Sequence, residues 1–286
     1  MSETLDPRLM SGSQLAEEIV ARSAERARAF TRETGTKPCL AAVLVGDDPA
    51  SATYVRMKRE RCRRVGIDSR FIHLSADTDT DELVEAITRL STDLSVHGIL
   101  LQHPVPAGTD ERAAFEAIAP AKDVDGVTMR SFAAMAFGLP GFASCTPGGI
   151  VRLLDAWGVD PAGKQAVVVG RSPILGRPVA ALLLARDATV TVCHSRTEDL
   201  PSIVRGADIV VAAVGRPRFV EGSWIKPGAV VVDAGYNPGN VGDVAFEQAL
   251  ERASLITPVP GGVGPMTVAT LIEQTVDAAF STVGPG

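Results

Sequence analysis

Residues 165–185, QAVVVGRSPILGRPVAALLLA, decide how this chain is read. Ala166–Val169 is a short β-branched run of the kind buried on both faces of a parallel sheet. Gly170 ends it, and Gly176 opens an apolar segment of helical length. A strand, a glycine turn and a helix N-terminus together make an anion site, because free N–H groups and the positive end of the helix dipole converge there. The spacing departs from G-x-G-x-x-G, since Ser172 holds the second glycine position and the last glycine comes late. Taken alone, the turn also fits an ordinary glycine-rich βα connection.

The flanking residues favour a dinucleotide. About twenty residues beyond Gly170, the stretch 188–192 reads as a second strand ending in Cys193-His194-Ser195-Arg196. The end of that strand meets the adenosine ribose in a dinucleotide-binding βαβ unit, where an acid suits a free 2′-hydroxyl and arginine suits a 2′-phosphate. Ser195 and Arg196 stand there, Arg171 lies in the glycine turn, and no acid appears until Glu198. This chemistry points to NADP. Further apolar runs at 208–213 and 229–233 end in small residues, Val214-Gly215 and Gly235, as expected of strand ends lining a cofactor crevice. The expected class is therefore α/β, with a Rossmann-like C-terminal domain.

The N-terminal half predicts a second α/β set. A helix is expected over 14–30, capped by Ser11 or Ser13, then a buried strand at 39–45, a Gly46-Asp47-Asp48-Pro49 turn and a helix over 50–65. A strand at 71–74, a helix at 81–90 with Thr80 as N-cap, a strand at 98–102 and a helix at 111–118 follow. Thr146 is expected to cap a helix running to Trp157, and the final helix to end near Phe280. The boundary is placed near Gly141, giving one domain over 1–141 with the C-terminal helix 266–286, and another over 142–265.

Bulk properties exclude several classes. The 286 residues are 45% hydrophobic with a net charge of −6, which disfavours a general nucleic-acid binder or a membrane-surface protein. No apolar stretch approaches a membrane span and no signal segment is evident, so a cytoplasmic location is expected. The four cysteines are far apart, without C-x-x-C, as expected of reduced buried thiols. The four histidines lack metal-ligand spacing, and neither H-E-x-x-H nor a nucleophile elbow is present, so no metal is expected.

Four residues invite chemistry. Tyr54 and Lys58 share a helix face. Y-x-x-x-K also marks short-chain dehydrogenases, but there the glycine turn comes first, the reverse of the order here. Lys58 sits in a basic run, Arg56 to Arg64, that reads equally as a solvated face or a patch for an anionic ligand tail. A lysine exchanges protons near neutral pH only where burial or positive neighbours lower its pKa. Gln102 closes an apolar strand and points into the crevice or bonds a loop, while Asp125 reads by default as a turn former.

Together, Gly46-Asp-Asp-Pro-Ala-Ser51 with Tyr54 and Lys58, Gly98-Ile-Leu-Leu-Gln102, Lys122-Asp-Val-Asp-Gly126, Gly170-Arg-Ser172 and the stretch 258–267, PVPGGVGPMT, resemble the bifunctional methylenetetrahydrofolate dehydrogenase/methenyltetrahydrofolate cyclohydrolase family, in order and over nearly the whole chain. The resemblance implies an N-terminal folate domain and a C-terminal NADP domain across a cleft, usually in a homodimer, acting on tetrahydrofolate derivatives, polyglutamylated ones included, in one-carbon metabolism. It implies Lys58 as catalytic lysine, Tyr54 as the residue positioning folate, Gln102 as the amide bonded to the lysine, and Asp125 as the carboxylate holding the pterin edge. It implies cofactor contacts at Gly170, Arg171, Ser172, Ser195, Arg196, Gly215 and the Tyr236 backbone, and substrate contacts at Pro260, Gly261 and Gly262. His103, the segment 127–131, Ser144 and Tyr236 depart from the family pattern. Weighed against this are a dehydrogenase with weak cyclohydrolase activity and a non-catalytic NADP-binding regulatory protein, though binding NADP requires none of Tyr54, Lys58, Gln102 and Asp125.

Overall fold

The computed structural model describes residues 6–283. The chain forms two compact units, one of residues 18–134, 139–143 and 269–283, the other of residues 6–17, 135–138 and 144–268.

The first unit begins within helix α1 (Ser13–Thr34) and alternates strand and helix: β1 (Cys39–Val45), α2 (Pro49–Arg64), β2 (Asp68–Leu74), α3 (Thr80–Thr92), β3 (Gly98–Leu101), α4 (Glu111–Glu116) and α5 (Met129–Ala136). The three strands are parallel in the order β2-β1-β3. β1 is buried at every position because it is central, and its uninterrupted CLAAVLV run reflects that. Asp79, not Thr80, is the N-cap of α3; its carboxylate accepts from the Glu82 N–H, and the Glu82 side chain returns to the Asp79 N–H. This reciprocal pair satisfies two helix-end donors, which a lone threonine hydroxyl would not.

The second unit carries α6 (Cys145–Ala156), β4 (Gln165–Val169), α7 (Gly176–Leu184), β5 (Thr189–Cys193), α8 (Leu200–Arg205), β6 (Ile209–Ala212), β7 (Val230–Asp233), α9 (Phe246–Leu250), β8 (Leu255–Ile256) and the start of α10 (Val263–Phe280). Its sheet is all parallel in the order β5-β4-β6-β7-β8. The fifth strand, β8, is only two residues long and does not register as a strand in the sequence. α6 starts at Cys145 with Ser144 in the capping position, two residues ahead of the expected Thr146; the Thr146 hydroxyl instead meets that of Thr267, 3.0 Å away.

Residues 6–17 group with the second unit, whereas the expected division at 141 puts them in the first. The cause is backbone pairing: Met10 N–H donates to the Ile256 carbonyl and Ile256 N–H to that of Arg8, both at 2.8 Å, which extends the sheet beyond β8. In the first unit the end of α10 packs on α1, through an Arg26–Asp277 ion pair at 2.6 Å and an edge-to-face contact of Phe30 with Phe280.

β3 begins at Gly98 because the loop behind it lies too close for a side chain. A Cβ there would stand 2.7 Å from Val124 Cγ2 and 3.3 Å from Leu40 Cδ1. Gly98→Ala should therefore cost ~1–3 kcal/mol by overpacking, read as a lower midpoint in urea denaturation. Val124→Ala in the same chain should return part of that loss; additive losses would show that Val124 is not the obstruction.

Candidate active site

In the first unit the site is built on α2. Asp48 caps the helix by accepting from the Ser51 N–H at 2.8 Å, and Pro49 starts it. Ser51, Val55 and Cys62 are buried, and Lys58 completes their 4-3-4 spacing, so it lies on the inward stripe. Arg56, Arg63 and Arg64 face solvent. Lys58 is half-buried, and its Nζ donates to Gln102 Oε1 at 3.4 Å. Burial pushes the Cys62 thiol up to about 12, with the Lys58 charge acting against that rise. Tyr54 lies one turn before Lys58 on the same face and is half-buried.

Gln102 is fixed at both ends. Its peptide N–H donates to the Val43 carbonyl of the central strand, and its side-chain Nε2 donates to the His103 carbonyl, each at 2.9 Å. The second bond determines which end of the amide faces Lys58: the oxygen. The His103 ring stands edge-on to Phe115, with centroids 6.1 Å apart.

Asp125 sits half-buried on the loop that follows a short 3-10 turn, Pro120–Lys122. That loop is held through its backbone. The fully buried Asp123 carboxylate accepts from Val127 N–H at 3.1 Å and Thr128 N–H at 2.9 Å. Arg112 donates to the Val127 carbonyl at 2.8 Å and to Glu116 at 2.9 Å, and Glu116 also accepts from Met129 N–H at 2.9 Å. Gln274 donates to the Val124 carbonyl at 2.7 Å and the Ala143 carbonyl at 3.0 Å. The structure thus brings Lys58 and Gln102 into contact, sets Tyr54 one turn away, and carries Asp125 on a separate, heavily pinned loop.

In the second unit the sheet order places the topological switch between β4 and β6, where the chain leaves β4 in one direction and later continues through β6 in the other. Gly170 ends β4 at φ +126°, and a Cβ there would lie 2.0 Å from the Ala213 carbonyl oxygen; one on Gly176 would lie 2.2 Å from the Gly170 carbonyl oxygen. The tight turn delivers bare backbone to the start of α7. Leu175 holds the N-cap position without a side-chain cap bond, and the Ser172 hydroxyl accepts from Gly176 N–H at 3.3 Å. Ser172 thereby does local capping work where another glycine would offer only backbone.

Arg171, Ser195 and Arg196 are exposed at the carboxyl ends of β4 and β5. The turn at 194–197 is ordered by His194 N–H donating to Thr197 Oγ1 at 2.8 Å and Arg196 N–H to His194 Nδ1 at 3.2 Å. Gly215 adopts φ +63° beyond β6. Tyr236 is 55% exposed, and its hydroxyl donates to Asn240 at 2.6 Å, so its ring lies along the 237–241 hairpin. A glycine turn opening a helix at the switch point, with two exposed arginines beside it, fits a dinucleotide carrying a 2′-phosphate. Pro260, Gly261 and Gly262 lie on a loop pinned from the N-terminal side by Gly12 N–H, which donates to the Gly261 carbonyl at 2.9 Å, and closed on itself by Gly262 N–H donating to the Pro258 carbonyl at 2.9 Å.

Sequence reasoning missed three buried aspartates: Asp123, and in the second unit Asp233 and Asp243. Each accepts main-chain N–H groups, and in sequence each reads as an ordinary turn or strand-end aspartate within three residues of a glycine or proline. Among the described residues, no group of three or more His, Cys, Asp or Glu could hold a metal, and no helix is long and apolar enough to cross a membrane. All four cysteines are free and buried.

Burial raises the Asp233 carboxyl to about 6, with Asp243 nearby adding to the rise and three backbone N–H donors opposing it. Between the ordinary carboxylate value and about 6 the folded chain holds this proton more tightly than the unfolded chain. Its contribution to stability therefore falls as pH rises through that window and is level above it. Asp233→Asn should remove this component, so the change in unfolding free energy between pH 4.5 and pH 7 in urea titrations should differ from that of the parent by ~1–3 kcal/mol. Parallel pH profiles would mean that Asp233 titrates normally.

The sequence profile described as tetrahydrofolate dehydrogenase/cyclohydrolase, catalytic domain, matches residues 10–125, and that described as the NAD(P)-binding domain of the same group matches 144–283. A curated relative, bifunctional protein FolD 1 of Streptomyces avermitilis, is 68% identical over 99% of both chains. A crystal structure of the bifunctional FolD dehydrogenase/cyclohydrolase of Campylobacter jejuni is 42% identical, with TM-score 0.92, covering 96% of this chain and 99% of that one. The Trypanosoma brucei dehydrogenase-cyclohydrolase, solved with NADP cofactor and an inhibitor, is 37% identical at TM-score 0.92, covering 97% and 98% of the two chains.

Proposed function

Because this chain belongs to the tetrahydrofolate dehydrogenase/cyclohydrolase family, we propose that Lys58, held on the inner stripe of α2 against Gln102, is the proton-handling group of the hydrolytic reaction, beside the carbon that both reactions change. The chain is an NADP-dependent methylenetetrahydrofolate dehydrogenase and methenyltetrahydrofolate cyclohydrolase of one-carbon metabolism. The observation that carries the residue-level reading is the Lys58–Gln102 contact, because a lysine recruited only to a solvated basic face would not sit on the buried stripe beside Cys62.

Bound NADP supplies the hydride acceptor. The residues of the chain do the rest. In 5,10-methylene-tetrahydrofolate the bridging carbon lies between two nitrogens whose lone pairs expel hydride, leaving a delocalised methenyl cation. That step asks for positioning more than for a base. Tyr54 orients the folate one helical turn from Lys58, and Asp125 accepts hydrogen bonds from the amino-pyrimidine edge of the pterin. Hydrolysis then needs both protons of the attacking water to leave, one delivered to the departing ring nitrogen and the other released to solvent as the formyl C=O forms. Lys58, held by Gln102 Oε1, relays them to yield 10-formyl-tetrahydrofolate. Pro260, Gly261 and Gly262 line the substrate. Arg171, Ser195 and Arg196 take the 2′-phosphate; Gly170, Ser172, Gly215 and the Tyr236 backbone complete the cofactor contacts.

The folate-binding role falls to the N-terminal unit with the last helix, and the NADP-binding role to the Rossmann-like unit. We assign further a homodimer in the cytoplasm, use of polyglutamylated folates whose anionic tail the α2 arginines attract, and a place in the one-carbon supply that purine, methionine and histidine biosynthesis draw on.

Lys58→Met should lower methenyl-tetrahydrofolate hydrolysis by at least ~10²-fold while leaving the Kd for NADP within twofold. The absorbance decay of the methenyl compound and a fluorescence titration measure the two quantities; near-parental hydrolysis would refute the role of Lys58. Arg171→Ala should weaken NADP by ~10-fold or more while barely changing NAD, read from the two KM values side by side. Equal losses would move recognition of the 2′-phosphate to another residue.

A further inference from the structure

The loop after β6 presents three successive main-chain N–H groups converging on one point, a nest of the sort that binds phosphate. Here the nest is already filled from within. Val214 and Gly215 donate to Asp243 Oδ2 at 2.6 and 2.8 Å, Arg216 donates to its Oδ1 at 2.9 Å, and Asn237 Nδ2 donates to the same oxygen at 3.0 Å. Asp243 has no exposed surface. Its own N–H donates to Asp233 Oδ1 at 2.9 Å, while Gly235 N–H and Val244 N–H reach Asp233 at 2.9 Å each. Two interior carboxylates thus tie the ends of β6 and β7 to residues 243–244.

The surrounding glycines show that the chain is shaped around these anions. A Cβ on Gly235 would lie 2.2 Å from Asp243 Cγ, and one on Gly242 would lie 1.9 Å from Asp233 Oδ2. Neither position can hold a side chain while the carboxylates stay where they are. The loop they hold, 213–216, is one edge of the β4/β6 switch point; the other edge is the Gly170 turn, in contact with Ala213.

We propose that Asp243 is a positioning residue for the cofactor: an internal anion that freezes the 214–216 wall of the switch-point crevice and leaves the Gly170–Gly176 turn as the place for the dinucleotide pyrophosphate. The inference rests on the reading of this unit as the NADP site. Asp243 touches neither cofactor nor folate. It acts by fixing four N–H donors in one direction, so that Gly215 keeps its left-handed backbone and the crevice keeps its width. Removing the negative charge turns those donors loose toward whatever anion approaches, the cofactor phosphates included.

The test uses the full chain carrying Asp243→Asn, an isosteric change that replaces one acceptor oxygen with a donor facing N–H groups. The expected result is an NADP KM raised about tenfold or more in the dehydrogenase assay, with the KM for methylene-tetrahydrofolate within twofold. Hydrolysis of methenyl-tetrahydrofolate without NADP should also stay within twofold, because Lys58 and Gln102 belong to the other unit. A merely structural role would depress hydrolysis and NADP use together, and that outcome overturns the proposal. Asn237→Ala, which deletes one of the four bonds and preserves the charge, decides the matter if Asp243→Asn does not accumulate folded. It should raise the NADP KM about threefold with hydrolysis intact, and an unchanged KM overturns the proposal. Fluorescence titration of the parent protein separates the two levels: no NADP binding would sink the cofactor reading and this inference with it, whereas normal parental binding with equal affinity in the variants would sink the inference alone.

Discussion

An ammonium group on the inward stripe of a helix is the constraint on which the rest of the first unit depends. Lys58 falls in register with Ser51, Val55 and Cys62, three buried positions of α2, and so is half-buried, whereas Arg56, Arg63 and Arg64 on the other side of the helix face water. Partial burial of a charge demands a polar partner. Gln102 provides one at the end of β3, and the Val43 and His103 carbonyls fix Gln102 in turn. The parallel sheet makes this possible, because the end of β3 and the β1–α2 connection emerge on the same edge. A catalytic geometry thus follows from strand order, helix phase and the orientation of one amide.

Elsewhere the chain solves the problem of holding loops with buried carboxylates. Asp123, Asp233 and Asp243 each accept two or more backbone N–H groups, and each is almost fully buried. A loop at a strand end has donors that no ladder satisfies, and leaving them unpaired in the interior costs more than any single bond gains. An aspartate reaching back from a neighbouring segment satisfies several at once and makes the loop rigid. Functional positions sit beside these clamps: Asp125 two residues after Asp123, and Gly215 among the donors to Asp243.

Much of this architecture is legible in the residues. Buried parallel strands announce themselves as unbroken apolar runs, and β1, β3, β4, β6 and β7 all lie where such runs stand. β8 is illegible because two residues have no periodicity; only pairing with β7 makes them a strand. Residues 6–12 carry no pattern beyond Ser11 as a candidate helix cap, yet they are tied down by bonds to Ile256 and Gly261, far away in sequence. Charge density hid the position of Lys58, since six basic residues among nine resemble a solvated face. The 51/55/58/62 spacing carried the contrary signal. The buried aspartates could not be told from turn formers: Asp123 bonds N–H groups four and five residues on, as a turn former does, and the partners of Asp233 and Asp243 include segments 10 to 29 residues away that approach only in the folded chain.

The segment 127–131 departs from the family pattern where folate contacts are expected, and the network around it explains how the departure is accommodated. Met129 and Arg130 lie exposed, whereas Val127, Thr128 and Ser131 are buried. The path of the segment is dictated by Arg112 and Glu116, one turn apart on α4, which take the Val127 carbonyl and the Met129 N–H while bonding each other. The Arg112 guanidinium also lies 5.3 Å from the centre of the Phe115 ring, which anchors the pair against a buried aromatic. With Asp123 holding the next two N–H groups and Gln274 the preceding carbonyl, the backbone on both sides of Asp125 is fixed chiefly by residues outside 127–131, while within the segment the Thr128 hydroxyl accepts from the Ser131 N–H at 3.1 Å. Changes at the exposed positions 129 and 130 therefore leave the carboxylate assigned to the pterin in place, because the hydrogen bonds that set this loop use main-chain groups of the segment and not these two side chains.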